Sequence, residues 1–376
     1  MITVNRSALS AALDAVTPLT KTKSPIPALR NVLIVSHGKS VTISATNLET
    51  SITRTIEANG DQFATLAPCV EFAKVASGIA GDEIELRYDD KKQTLTVGGG
   101  KSKYVFRCLS PDDFPTLPKI EDGGKSSTVS VNAASLADAI ERTRTFIDAD
   151  GSGQGFAFTG VQLTVFDKQF RMIGASRAQA SIVRFCGNVK AADRPIIVAG
   201  ECLGYLLQML RSIGDSDVDL SFSGRHWSLA TDGATIIGRI MEGEYPDVES
   251  VAPKQNRASV ELSRSELISA CQRLSALRGD SLVVKLESGK GELVLEYANK
   301  DVGDGTERIE AEIKGEFKPI GFKAYFIVNA AQAGRTERVR IELPEDPTKG
   351  AAIFKDIAAT GADWFSMLAP IRLGPA

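Results

Sequence analysis

The amino-acid sequence predicts an α+β protein of three similar domains, each with two helices packed on antiparallel sheets. Three observations predict it. A strand–cap–helix pattern occurs three times, beginning at Ile2, Val129 and Val260, at nearly equal spacing. Each copy is followed by short alternating segments, a further helix and more strands, the element order of an α+β architecture. Polar stretches at residues 121–127 and 253–257 separate the copies. A long-period repeat sets the domain plan, so the domains are read as residues 1–123, 127–253 and 257–376.

The first copy reads Ile2-Thr3-Val4-Asn5-Arg6-Ser7-Ala8-Leu9, the second Val129-Ser130-Val131-Asn132-Ala133-Ala134-Ser135-Leu136, the third Val260-Glu261-Leu262-Ser263-Arg264-Ser265-Glu266-Leu267. Asn5, Asn132 and Ser263 hold the cap position, where a short polar side chain accepts from an orphan amide of the first turn. Ser263 with Glu266 also fits a capping box. Behind the caps, Leu9, Leu13 and Val16, then Leu136, Ile140 and Thr143, then Leu267, Cys271 and Leu274 repeat at i, i+4, i+7, one buried face of a helix.

The remaining elements follow in order. A proline-broken loop carries Lys21, Lys23, Pro25 and Pro27. Residues 31–35 and 41–45 flank His37-Gly38-Lys39 as a hairpin, and residues 51–56 alternate like a half-buried strand. A second helix spans roughly residues 70–79, and strands are expected at 84–88, 94–97 and 104–106. In the second copy the hairpin lies within 161–173, a strand at 181–185, a helix over about 201–213, and strands at 218–222, 227–230 and 235–240. In the third, strands are expected at 282–286, 293–297 and 309–313, a helix near 324–332, and strands from there to Leu373.

Composition narrows the function classes. The chain has 376 residues, 43% hydrophobic and 24% charged, enough to bury a core in each domain. No apolar run approaches a bilayer span, and the chain opens in a strand pattern, so neither membrane insertion nor a signal peptide is expected. Five scattered cysteines without a CxxC pair indicate neither a disulfide framework nor a structural zinc site, and fit a reducing cytoplasm. A net charge of −3 argues against a simple basic nucleic-acid binder but leaves room for positive charge gathered on one face.

Motifs for chemistry fail on inspection. Gly98-Gly99-Gly100-Lys101-Ser102 imitates a phosphate loop, but Leu95 stands where a Walker A needs glycine, and the stretch joins two strands. Asp148-Ala149-Asp150-Gly151-Ser152-Gly153 imitates a calcium loop, yet Thr159 stands where a bidentate Glu is required. His37 and His226 lack ligand partners at metal spacing, and no GxSxG occurs. An enzyme whose site forms only in three dimensions is the competing reading, and the missing nucleophile–base and metal patterns weigh against it. Arg142, Arg144, Arg211, Arg273, Arg335 and Arg338 fall on or beside the predicted helices. Each alone reads as a solvated face; their recurrence suggests one repeated basic face.

The sequence resembles the bacterial sliding clamps, the β subunits of DNA polymerase III. The resemblance rests on Ile26-Pro27-Ala28-Leu29-Arg30-Asn31-Val32-Leu33, Ser44-Ala45-Thr46-Asn47-Leu48-Glu49 and Asp113-Phe114-Pro115. It continues in Glu242-Gly243-Glu244-Tyr245-Pro246-Asp247 with Val251 and Pro253-Lys254, and ends in Pro370-Ile371-Arg372-Leu373. It covers the whole chain. One stretch departs: where the family usually carries Thr-Asp-Gly-His-Arg-Leu, this chain has Ala175-Ser176-Arg177-Ala178-Gln179-Ala180. Residues 374–376 also extend past the usual end, so the chain is read as a divergent member.

The resemblance implies a DNA-clamp fold and a head-to-tail homodimeric ring of six domains. Tyr104 and Phe106 of one copy would face Ala276 and Leu277 of the other. It implies duplex DNA bound without sequence preference, with Lys21, Lys23, Arg142, Arg211, Arg273 and Arg335 near phosphate. It implies a partner-peptide site at Phe158, Ala175, Arg177, Pro246, Val251, Leu368, Pro370, Ile371, Arg372 and Leu373, which the small residues of 175–180 would widen or shift toward bulkier ligands while Phe158 fills part of the space. The implied partners are the replicative polymerase, the clamp loader and other proteins with clamp-binding peptides. No catalysis, cofactor, metal or membrane is expected.

Overall fold

Each repeat begins the same way, because a short polar side chain stops a strand and starts a helix. Asn5 accepts from the Ala8 amide at 3.1 Å, Asn132 from Ser135 at 3.0 Å and Ser263 from Glu266 at 3.4 Å. All three caps have extended backbone, so each strand runs into its helix without an intervening turn. The helices are α1 (Arg6–Thr20), α2 (Cys69–Gly78), α3 (Ala133–Thr143), α4 (Gly200–Ile213), α5 (Arg264–Ser275) and α6 (Ala324–Ala333). The nine stripe residues of α1, α3 and α5 are all buried.

The computed structural model describes residues 1–21, 24–118, 127–148, 156–166, 168–187, 195–253, 256–277, 282–299, 301–348, 350–358 and 361–373. Lys23, Lys254, most of the 121–127 stretch, the calcium-like loop from Ala149 to Gly153, and residues 374–376 lie outside them. The chain forms two compact units, Met1–Val131 with Gln208–Ile240, and Asn132–Leu207 with Met241–Ala376.

The first unit is built on β1 (Ile2–Asn5), β2 (Asn31–His37), β3 (Ser40–Thr46), β4 (Thr50–Gly60), β5 (Gln62–Pro68), β6 (Glu83–Asp89), β7 (Thr94–Gly99), β8 (Ser102–Arg107) and β9 (Ser127–Asn132). Strands β14 (Asp217–Ser223), β15 (His226–Thr231) and β16 (Ala234–Arg239) of the second repeat complete it. They hydrogen-bond in the order β8-β7-β6-β1-β4-β16-β15-β14-β9, with β2, β3 and β5 joined through β4. These pairings are antiparallel, and β4–β16 joins the first repeat to the second, Ile52 opposite Ile236. Gly100, at φ +58°, turns the β7–β8 hairpin, so the phosphate-loop imitation is a turn.

The second unit holds β10 (Gly160–Phe166), β11 (Gln169–Ala175), β12 (Gln179–Cys186), β13 (Ile196–Ala199), β17 (Ala258–Ser263), β18 (Val283–Ser288), β19 (Glu292–Tyr297), β20 (Gly305–Lys314), β21 (Ile320–Lys323), β22 (Arg338–Leu343), β23 (Ala352–Asp356) and β24 (Ala362–Leu368). Their order is β13-β10-β11-β12-β24-β23-β22-β17-β20-β19-β18-β21. Here β12–β24 joins the second repeat to the third, Gln179 opposite Leu368. Helix α3 lies close on this sheet: a Cβ at Gly174 would stand 2.1 Å from the Thr143 carbonyl oxygen, so only glycine fits there.

The predicted helices and most predicted strands are present. Three strands were absent from the sequence reading: β5, β13 and β21. Each ends directly against a second helix, Pro68–Cys69, Ala199–Gly200 and Lys323–Ala324, so no turn residue separates the two periodicities.

Candidate functional site

In the second unit, period-2 alternation places a ladder of side chains on one sheet face. Ala175, Ala180, Met367 and Ile353 stand opposite one another across β11, β12, β24 and β23; Ile173, Ile182 and Phe365 form the next row. The buried members of these rows make one apolar cluster with Val248, against which Phe158, Tyr245, Ala252, Ala351 and Phe365 pack. The alternate residues face the other way: Trp364 donates Nε1 to Ser181 Oγ at 3.0 Å, and its ring stacks under the Arg142 guanidinium of α3, 5.4 Å away.

Residues 241–253 cross this face without regular structure, because Pro246 and the positive φ of Gly243 deny them a strand. Tyr245 anchors one end, packing edge-on against Phe158 at 6.0 Å and donating its hydroxyl to the Gly160 carbonyl at 3.3 Å. Burial pushes the Tyr245 phenol well above its ordinary pKa, with the Ala175 backbone offsetting part of that rise, so it stays a neutral donor. Pro246 is exposed, and Val251 is 71% exposed, unusual for a valine beside an apolar cluster. The chain's end lies on β21: the Ile371 amide donates to the Gly321 carbonyl at 2.8 Å, and a Cβ at Gly321 would meet Leu373 Cδ2 at 2.7 Å. Arg177 and Arg372 are exposed, and Pro370 and Ile371 half-buried.

Two expected peptide-site residues sit differently. Leu368 is wholly buried and lies outside the cluster, because it shares the helix-side parity of Trp364; Met367 takes the cluster position. Ala175 is in the cluster but fully buried, so its small side chain opens no surface space. Sequence reasoning missed Met367, Tyr245 and Val248. The alternation in 362–368 carried the signal for Met367, once β24 was assigned its face.

The expected phosphate-facing residues divide. Lys21 and Arg211 are exposed. Arg273 is exposed and grips Glu307 with two bonds, 2.8 and 2.7 Å. Arg335 donates to Asp138 at 2.7 Å and Glu141 at 3.0 Å. Arg142 is a correction: its side chain is fully buried between Asp138 and Asp356, 2.8 Å from each, and cannot meet phosphate. Its position in the last turn of α3 reads as a solvated helix face, because the sequence does not show that Asp356 comes to meet it.

At the ends of the sheets, β8 closes the first unit's strand order with Tyr104 46% exposed. Phe106 is half-buried against Phe72, ring centroids 5.9 Å apart. Ala276 is exposed and Leu277 half-buried at the end of α5. Among the described residues no cluster of His, Cys, Asp or Glu could hold a metal ion, and no helix is long and apolar enough to cross a membrane.

A threefold helix–strands–helix–strands unit, stitched by sheets that run from one repeat into the next, is the fold of the DNA clamps. Residues 1–118 match the DNA polymerase III beta subunit, N-terminal domain, and residues 249–360 the C-terminal domain of the same subunit. The beta sliding clamp of Pseudomonas putida is 24% identical over 377 residues, covering 99% of each chain. Among solved structures, the Pseudomonas aeruginosa sliding clamp bound to griselimycin superposes with a TM-score of 0.89 at 22% identity over 99% of each chain. The DNA polymerase III beta subunit of Thermotoga maritima superposes with 0.88 at 20% identity over all of both. The chain belongs to the DNA polymerase III β subunit family, the bacterial sliding clamps of DNA replication.

Proposed function

We propose that two copies close head to tail into a ring that encircles duplex DNA, slides along it and tethers the replicative polymerase and other partners through the apolar face of the second unit. Three domains per chain, at residues 1–123, 127–253 and 257–376, would give six in the ring. The protein would work in the cytoplasm by binding alone, without chemistry, cofactor or metal of its own.

One observation carries the ring: the same strand junction recurs inside the chain, and one copy of it is left open. By the repeat, β4, β12 and β20 are equivalent, as are β16, β24 and β8. Two of these pairs are made, β4–β16 and β12–β24. On β20, β17 takes only residues 311–314, leaving that edge beside Gly305 without a strand among the described residues. The register of the two closed junctions, Ile52 opposite Ile236 and Ser181 opposite Ser366, carries over as Gly305 opposite the partner copy's Tyr104. Ile236 and Ser366, the residues equivalent to Tyr104, are 1% and 0% exposed, against 46% for Tyr104. An exposed aromatic at a position twice buried fits a junction between molecules. Gly305 also lies against Leu274 and Leu277, so the tyrosine ring would come beside these leucines at the end of α5.

Lys21, Lys23, Arg211 and Arg273 would meet phosphate, contacts that hold DNA without reading sequence. Arg335 would contribute only by exchanging its carboxylate partners, and the buried Arg142 would take no part. Partner peptides would insert apolar side chains beside Phe158, Tyr245, Pro246 and Val251, with residues 370–373 as the second wall. Loading would need a separate ATP-driven loader. The deciding experiment loads the protein on nicked circular DNA and raises salt. A topological ring stays bound at salt that strips it from short linear duplex, where electrostatic contacts fall steeply. Loss from circle and linear duplex at the same salt overturns the ring.

A further inference from the structure

We propose that Glu249 is the positioning residue of the peptide-binding face, latching residues 245–252 onto the sheet and so fixing Pro246 and Val251 where a partner peptide meets them; the affinity effect rests on the pocket reading above. Arg171 of β11 and Arg184 of β12 stand directly opposite each other. They continue the two apolar rows on the same sheet face. Two guanidiniums at a cross-strand pair repel unless an anion lies between them. Glu249 supplies it, accepting from Arg171 through Oε2 and from Arg184 through Oε1. All three side chains are about a quarter exposed, sheltered enough for charge-assisted bonds to hold a geometry. The guanidiniums are themselves steadied, Arg171 over Phe166 at 5.2 Å and Arg184 over Phe365 at 5.8 Å, with Asp363 accepting from Arg184 at 2.9 Å.

The latch sits in the middle of the segment that carries the wall. Glu249 lies three residues after Pro246 and two before Val251. Its carbonyl accepts from the Ala252 amide at 3.1 Å, and Val248 donates to the Pro246 carbonyl at 2.9 Å. Those turns, with Tyr245 at the other end, convert two ion pairs into a fixed path for the segment. Without Glu249 the path loses its central ionic attachment and keeps only its apolar contacts through Tyr245, Val248 and Ala252.

Two readouts test this in full-length protein. The first is amide exchange over residues 245–252, which needs no ligand. Glu249→Ala raises exchange there while the thermal midpoint stays close to wild type; unchanged exchange overturns the latch. The second is anisotropy of a labelled Gln-Leu-Ser-Leu-Phe peptide. Glu249→Ala weakens it about tenfold, the scale of lost charge-assisted bonds. Arg171→Met with Arg184→Met gives the same loss, and adding Glu249→Ala costs nothing more, a non-additivity that general destabilisation does not produce. Wild-type binding that Glu249→Ala leaves within about twofold overturns the positioning role. Should wild type not bind the peptide, the pocket reading falls, and the exchange result alone decides the latch.

Discussion

Arg142 donates through Nη1 to Asp356 Oδ2 at 2.8 Å, with no part of its side chain exposed. The two residues are 214 apart in sequence, one on α3 of the second repeat and the other at the end of β23 in the third. Asp138 joins them by accepting from Arg142 Nε and from Arg335 Nε. Asp356 also accepts from the Arg335 and Thr336 amides at 2.7 and 3.2 Å. A charge so enclosed is tolerable only while paired, and removing one partner costs about 3–5 kcal/mol. Arg142→Met is expected to lower the unfolding free energy of the second unit by that amount. Urea titration followed by Trp364 fluorescence, in a Trp227→Phe background, measures it. A loss under about 1 kcal/mol would show the pair to be worth no more than a surface one.

Acid should find the same pair. Burial pushes the Asp356 carboxyl up, but the bonds from Arg142, Arg335 and Thr336 outweigh it and hold the pKa below the ordinary value. A group depressed on folding contributes stability that is fully present above the unfolded pKa, about 3.9, and is lost as pH falls through the lower folded value. The wild type should therefore lose stability below about pH 4, more steeply than Asp356→Asn does. Parallel acid-unfolding curves for the two would refute this.

At the open edge, Tyr104→Asp should yield monomers while Ile236→Asp should unfold the first unit, although both replace the same repeat position. Burying an aromatic or aliphatic side chain of this size is worth about 1.5–3 kcal/mol. Phe106→Asp with Leu277→Asp should also dissociate the pair of chains, though Phe106 is half inside its own core against Phe72. Light scattering at micromolar concentration reads all three; a persistent Tyr104→Asp dimer excludes the β8–β20 junction.

Deleting residues 371–376 should abolish peptide binding and leave the dimer intact, since Ile371 and Leu373 lie on Gly321. Deleting only residues 374–376 should leave binding unchanged. A titration in which the longer deletion still binds would move the site away from the chain's end.

Cysteine reactivity offers a check on packing. Burial pushes the Cys271 thiol up to about 12, with Glu307 adding to the shift, and Cys69, Cys108 and Cys202 are buried as well. Cys186 is exposed. At pH 8 a disulfide reagent should titrate one thiol quickly, absent in Cys186→Ser, and the others only on unfolding. Fast reaction at Cys271 would mean that α5 is not packed as described.

By itself the sequence determined what depends on near neighbours. A cap needs a side chain and an amide three residues on, and a stripe needs one helix turn, so Asn5, Asn132, Ser263 and the nine stripe residues were legible, and with them the threefold plan. The family motifs pointed to the proposed site's approximate place. Only the tertiary structure decided what depends on distant partners or on register. Arg142 and Arg211 look alike along the chain, yet one meets Asp356 from 214 residues away and is buried, while the other is exposed. Leu368 and Met367 are adjacent, and a one-residue step in β24 sends one to the helix side and the other to the apolar face. Glu249 reads as a surface charge until β11 and β12 bring Arg171 and Arg184 together beneath it. Local periodicity fixes which side chains share a face; strand pairing fixes what that face meets.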